Sequence, residues 1–246
     1  MDRLRWQVLL IAAFLGLSVL SYTLHYAIFK DEHHIFIYMI GDIAFLPLEV
    51  LVVTLVLDRL LKRNEKRSRM ERLNTVLGAF FSEVGAQLLS TFSALDPKID
   101  AIRSPLMLKE NCSRQDFQRT LEALRTHDFS IHLEVQDLEA LRSFLEDKRR
   151  LIVSLLENPN LMEHEQFTDS LQAVFHLSEE LLLRKDLTTI PASDRNHLSG
   201  DATRAYTLLS QVWVAYMQHL QGSYPYFFSL CTRVNPFVPN ASPIVQ

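Results

Sequence analysis

From Trp6 to Phe29 the chain runs 24 residues without an Asp, Glu, Lys or Arg. As a helix that run is about 36 Å long, enough to cross a hydrocarbon core of about 30 Å with some tilt. Arg3 and Arg5 precede it, which is also the flank of a secretory signal. A signal's apolar core is only about 7–15 residues long, so an uncleaved span is the expectation. A second apolar run goes from Ile35 to Leu57 and carries Asp42, Pro47 and Glu49.

The flanks orient this pair. Lys30-Asp31-Glu32-His33-His34 lies between the runs, and Arg59, Lys62, Arg63, Lys66, Arg67, Arg69 and Arg72 follow the second. Basic flanks stay on the cytosolic side, so the expectation is a hairpin with both termini cytosolic and the His-His loop outside. Arg59, Lys62, Arg63, Lys66 and Arg67 are candidate contacts for anionic lipid headgroups. Setting orientation and snorkelling are the simpler roles of such a run.

The acids within the second run are the most informative residues. An acid at membrane depth is costly and rarely faces lipid. Asp42 and Glu49 are seven residues apart, which returns them to within about 20° of one helix face. Pro47 has no N–H, so the carbonyl of Ile43 loses its helical partner. An antiparallel partner places Tyr22 near the depth of Asp42. Asp42, Pro47, Glu49 and Tyr22 thus form a candidate intramembrane polar site. One role is structural, with protonated acids hydrogen-bonded between helices of an assembly. The other is a cation path lined by carboxylate and carbonyl oxygens. The structural role is the first choice, because two spans line a pore only when several chains assemble. Both roles anticipate a homo-oligomer.

Behind the hairpin the charge changes sign. Residues 73–246 hold 15 Lys/Arg against 21 Asp/Glu. Such an acidic segment is a poor nucleic-acid binder, and none is expected as a partner. Cys112 and Cys231 make neither a disulfide framework nor a metal spacing. Leu73, Leu77, Phe80, Val84, Leu88, Phe92 and Leu95 recur at helical spacing until Asp96-Pro97. Gly78, Ser82 and Gly85 form a small-residue strip that admits a neighbouring helix. Ser113 with Asp116 starts another helix as a capping-box variant. Phe129, Ile131, Leu133 and Val135 alternate like a strand, but a lone strand has no sheet to join, so an extended connector is expected. Helices are expected at about 137–157, 165–184 and 195–221, with a short aromatic one from Tyr224.

The chemistry is sparse. There is no Gly-x-Ser-x-Gly and no glycine-rich phosphate loop. His164, His176, Glu179, His197 and Asp201 are the weak candidates for a metal site, but they lack the repeated Glu-x-x-His of di-iron bundles. Trp213, Tyr216, Tyr224, Tyr226, Phe227 and Phe228 read as packed aromatics before they read as a ligand cage. No cofactor and no catalytic residue is expected.

The phrases GDIAFLPLEVLVVTLVLDRLL (Gly41 to Leu61), LGAFFSEVG (Leu77 to Gly85), AVFHLSEELL (Ala173 to Leu182) and YPYFFSL (Tyr224 to Leu230) resemble an uncharacterised family of prokaryotic two-span membrane proteins with a helical cytosolic domain. The resemblance spans nearly the whole chain. It implies a prokaryotic inner or plasma membrane and brings no reaction.

The reading is thus all-α: a transmembrane hairpin over 1–57, with spans at about 6–29 and 35–57, then a basic connector over 58–72. A cytosolic bundle of about five helices follows over 73–234, and an extended tail over 235–246. The first functional reading is a membrane-anchored helical module, an oligomeric interaction, sensor or scaffold protein with lipid and cytosolic protein partners. The second is an oligomeric cation channel or transporter using Asp42 and Glu49. The third is a metal-dependent enzyme in the bundle.

Overall fold

The computed structural model describes residues 2–109, 111–158, 161 and 164–244, with side chains from residue 5 onward except those of 63–73. Helices account for nearly all regular structure, and no strand occurs among the described residues. The chain divides into two compact units, Met1–Lys66 and Arg67–Gln246.

The first unit holds α1 (Asp2–Phe29) and the first part of α2 (Glu32–Phe80). Two residues make the turn. Lys30 adopts φ 49°, a left-handed conformation of the kind that commonly ends a helix. The Asp31 carboxylate accepts from the N–H groups of His33 at 2.9 Å and His34 at 3.3 Å, capping α2. Pro47 sits inside α2 without ending it. Arg5–Phe29 and Glu32–Lys62 are each long and apolar enough to cross a membrane, and their most apolar stretches are wholly unburied. Trp6, Phe14, Val19, Ile43 and Leu61 are each more than 60% exposed.

The second unit carries the core. The end of α2 passes into a π turn (Phe81–Gly85) and then α3 (Ala86–Leu95). The Ala86 N–H reaches back five residues to the Phe81 carbonyl. This extra residue shifts the face that continues along α3. It also changes what the small residues do. Gly78 does admit another helix: a Cβ there would stand 3.1 Å from the Tyr216 hydroxyl. Gly85 instead gives room to its own neighbours, since a Cβ would meet Phe81 Cδ1 at 2.6 Å and Phe80 Cε1 at 2.8 Å.

Short α4 (Asp100–Leu106) and α5 (Arg114–Thr126) follow. Ser113 caps α5 in a reciprocal box with Asp116, whose pKa is held down chiefly by the Ser113 hydroxyl. Long helices α6 (Val135–Leu156), α7 (Glu165–Leu183) and α8 (Ala192–Ser223) come next, then α9 (Pro225–Arg233). The periodicity thus locates the three long helices to within a few residues. Among the described residues seven helices follow the π turn, against a bundle of about five expected; the short aromatic helix expected from Tyr224 is α9.

Helix α8 is the hub, packing on α7, α5, α3 and α9. Leu198, Ala202, Tyr206, Leu209, Trp213, Met217 and Leu220 are buried along it. Residues 127–134 are irregular rather than paired into a sheet, although Ile131 and Leu133 are buried while His132 and Glu134 are exposed. Their backbone needs are met by α8 itself. The Ile131 N–H donates to Thr203 Oγ1 and the Leu133 N–H to Ser199 Oγ, both at 3.1 Å. Two hydroxyls one helical turn apart replace the missing neighbour strand. The segment after Asn235 is packed at its start: Phe237 is buried against Trp213, and the Ser93 hydroxyl donates to the Pro236 carbonyl at 3.1 Å.

Candidate functional site

On α2, Asp42, Pro47 and Glu49 are all exposed, and on α1 Tyr22 is 46% exposed. No hydrogen bond joins these four among the described residues. The site expected from the sequence is therefore a set of exposed polar groups that do not bond one another.

At the hairpin turn the structure adds a group that periodicity did not reveal. His25 Nε2 lies 3.3 Å from His34 Nδ1, joining α1 to α2. Phe29 and Tyr38 pack on the same imidazoles, with the His34–Tyr38 rings edge to face at 4.6 Å. His25 escapes a sequence reading because it stands inside an apolar run, nine residues from its partner. Of the basic run, Arg59 and Lys62 are exposed, with Lys62 paired to Asp58 at 2.9 Å. The side chains of Arg63, Lys66 and Arg67 lie outside the described residues.

The weak metal candidates separate. His164 caps α7 by accepting from the Phe167 N–H, and Glu179 pairs with Arg149 at 2.8 Å. Only His176, His197 and Asp201 converge, across α7 and α8. Both imidazoles approach one Asp201 oxygen, His176 Nε2 at 3.5 Å and His197 Nε2 at 3.4 Å. The node is dominated by Arg184, just past the end of α7. It bonds Asp194 through two nitrogens, Nε at 2.7 Å and Nη2 at 2.6 Å, and Glu180 at 2.6 Å. These charge-assisted bonds depress the pKa values of both carboxylates and raise that of the guanidinium. Arg184 thus supplies the positive charge beside Glu180 and Asp194. Among the described residues no three His, Cys, Asp or Glu side chains are grouped to hold a metal ion. Glu180 and Arg184, one helical turn apart, could have been paired from sequence by their spacing. Asp194 could not.

A second polar connection lies on the far side of α8. His127 Nε2 is 2.9 Å from Asp96 Oδ2, with the two side chains 4% and 0% exposed. Asp96 also accepts from the Lys98 N–H at 2.8 Å, turning the chain out of α3. The His127 ring stands on Phe129, and Phe129 on Tyr206. Burial pushes the Tyr206 hydroxyl well above its ordinary pKa, and the nearby Asp96 adds to this. These contacts join three elements at one corner. These buried contacts read as structure.

Comparison with known proteins covers both units. Residues 2–61 match the family model described as MJ1433, N-terminal helical domain. Residues 69–233 match the one described as Uncharacterized protein MJ1433, C-terminal helical domain. Uncharacterized protein MJ1433 of Methanocaldococcus jannaschii is 39% identical over 246 residues, covering 100% of this chain and 98% of that protein. No solved structure matches the chain. The two model matches fall on either side of the stretch 62–68, close to the division between the compact units. The chain belongs to the MJ1433 family of helical proteins.

Proposed function

We propose that this chain is a membrane-anchored helical module. Its N-terminal hairpin spans the membrane of a prokaryotic cell, and its C-terminal unit works in the cytosol as an interaction or sensing domain. The observation that carries this is the exposure of α1 and the first half of α2. An apolar surface of that extent is not tolerated in water, and a core helix of a soluble protein would be covered. A bilayer covers it without a protein partner. The basic residues after Leu57 support a cytosolic position for the second unit. In this reading Arg59 and Lys62, both exposed, meet anionic headgroups.

The chain assembles with itself in this reading. Asp42 and Glu49 face outward from α2, and an acid facing lipid is costly, so a neighbouring copy supplies their partners. Alkaline carbonate extraction of expressing cells tests the anchoring. The full chain stays in the membrane pellet, and release into the supernatant would end the proposal.

The same acids support a second reading. With Glu49 and Asp42 on one face beside the freed carbonyl of Ile43, an oligomer would line a cation path. Cation flux in proteoliposomes separates the two. At the α7–α8 node Arg184 already neutralises Glu180 and Asp194, so those two carboxylates do not favour a metal.

A further inference from the structure

The second unit contains a pocket that none of the above uses. It opens between the end of α2, the π turn, α8 and α9, with a volume of about 200 Å³. Its walls include Gly78, Phe81, Ser82, Trp213, Tyr216 and Cys231. Phe81 and Tyr216 are stacked there, with ring centroids 5.2 Å apart and planes 15° from parallel.

Two sequence features build this space. In an ideal α-helix Phe81 and Ala86 would point about 140° apart. The π turn bonds the Ala86 N–H to the Phe81 carbonyl, so both residues reach the same wall. Gly78 does the rest, because its missing side chain leaves the Tyr216 hydroxyl at the wall, 3.1 Å from where a Cβ would stand. A π turn costs stability relative to a regular helix and recurs at functional sites.

The lining defines the ligand. No Asp, Glu, Lys, Arg or His is among the pocket's walls, so a charged guest would lose its hydration without a counter-charge. The potential donors are neutral: the Ser82 and Tyr216 hydroxyls, the Trp213 N–H and the Cys231 thiol. Burial pushes that thiol up to about 11, so it stays protonated at neutral pH. Flat aromatic walls favour a flat guest through offset stacking. On size, an engineered apolar cavity of about 150 Å³ holds benzene. The present volume therefore suits one substituted ring, on the order of ten heavy atoms.

We propose that this pocket binds a small, neutral aromatic molecule bearing one hydrogen-bond acceptor, and that it is the ligand site of the second unit. The proposal gives the sensing domain a chemical class of signal. It does not depend on the hairpin crossing a membrane, since every lining residue belongs to the second unit.

The test uses the full chain in lipid nanodiscs, with 4-fluoroacetophenone as probe and fluorine NMR as readout. Empty nanodiscs supply the background from partitioning into lipid. The expected result is saturable binding above that background, with a Kd on the order of 0.1–1 mM for so small a ligand. Ser82 is exposed, so Ser82→Trp fills the pocket mouth at little cost to folding. It should weaken binding by about tenfold or more with an unchanged melting curve. A second readout needs no pocket variant: in a Trp6→Phe background, the ketone should quench Trp213 fluorescence saturably at the same concentrations. Linear probe binding with no saturation, or equal affinity in Ser82→Trp, would overturn the site. Displacement of the probe by 1-octanol at lower concentration than by unlabelled acetophenone would overturn the aromatic assignment in favour of an acyl chain.

Discussion

The His127 imidazole lies 2.9 Å from the Asp96 carboxylate, and together they close the corner between the end of α3 and the end of α5. Both groups are almost fully removed from water, so neither can be deleted without leaving the other unsatisfied. Truncation of one member of a buried pair costs about 3–5 kcal/mol. Asp96→Ala and His127→Ala should each lower stability by an amount in that range. The double variant should cost much less than their sum. Urea denaturation of the wild type, singles and double checks this. Additive losses would mean that the contact carries no coupling.

Arg184 predicts a pH dependence. Its hydrogen bonds hold the Glu180 and Asp194 carboxyls below the ordinary carboxylate range. A depressed folded pKa means stability that is full above the unfolded pKa and is lost as pH falls through the folded one. The Arg184 contribution should therefore be complete at pH 7, begin to fade near pH 4 and vanish at lower pH. Arg184→Met should destabilise the protein by about 1–3 kcal/mol at pH 7. The gap to wild type should narrow as the carboxyls protonate. A gap that stays constant from pH 7 to pH 3 would show that the guanidinium acts by packing alone.

Gly85 predicts a steric effect at the π turn. A Cβ there would stand 2.6 Å from Phe81 Cδ1 and 2.8 Å from Phe80 Cε1, and both residues are buried. Gly85→Ala should cost about 1–3 kcal/mol by overpacking, despite the better helix propensity of Ala. Gly200, with open space at its Cβ, is the control: Gly200→Ala in α8 should be stabilising by a few tenths to about 1 kcal/mol. Equal effects at the two positions would contradict the packing account of the π turn.

These cases show which parts were legible in the sequence. The apolar runs, the cap at Ser113 and the span of the long helices follow from local pattern, because chain neighbours decide them. The π turn does not, since its cause is how Phe80 and Phe81 pack around Gly85. The extended segment was readable in its alternation at Ile131 and Leu133, but not in the Ser199 and Thr203 hydroxyls that receive it, which are about 70 residues away. The metal candidates show the reverse fault: residues of the right type stand out in the sequence, while the Arg184 bridge to Glu180 and Asp194 beside them does not. At the hairpin, Asp42 and Glu49 were marked by their cost in lipid, and His25 was hidden by its apolar surroundings.

Glu49 distinguishes assembly from conduction. Glu49→Gln keeps shape and hydrogen bonding and removes the ionisable group. In the assembly reading it leaves the oligomer intact, while Glu49→Leu weakens it by stranding a polar partner in lipid. Neither wild type nor variant then passes cations in proteoliposomes. Cross-linking of purified protein reports the first outcome and flux the second. Wild-type flux abolished by Gln would establish the cation path instead.

The central claim is that the hairpin crosses the membrane with the second unit inside, and cysteine accessibility in intact cells tests it most directly. In a background with Cys112→Ser and Cys231→Ser, one reporter is His33→Cys at the exposed turn and the other Ser242→Cys near the C-terminus. An impermeant maleimide should label position 33 in intact cells and position 242 only after permeabilisation. Protection of position 33 together with labelling of position 242 would contradict the account.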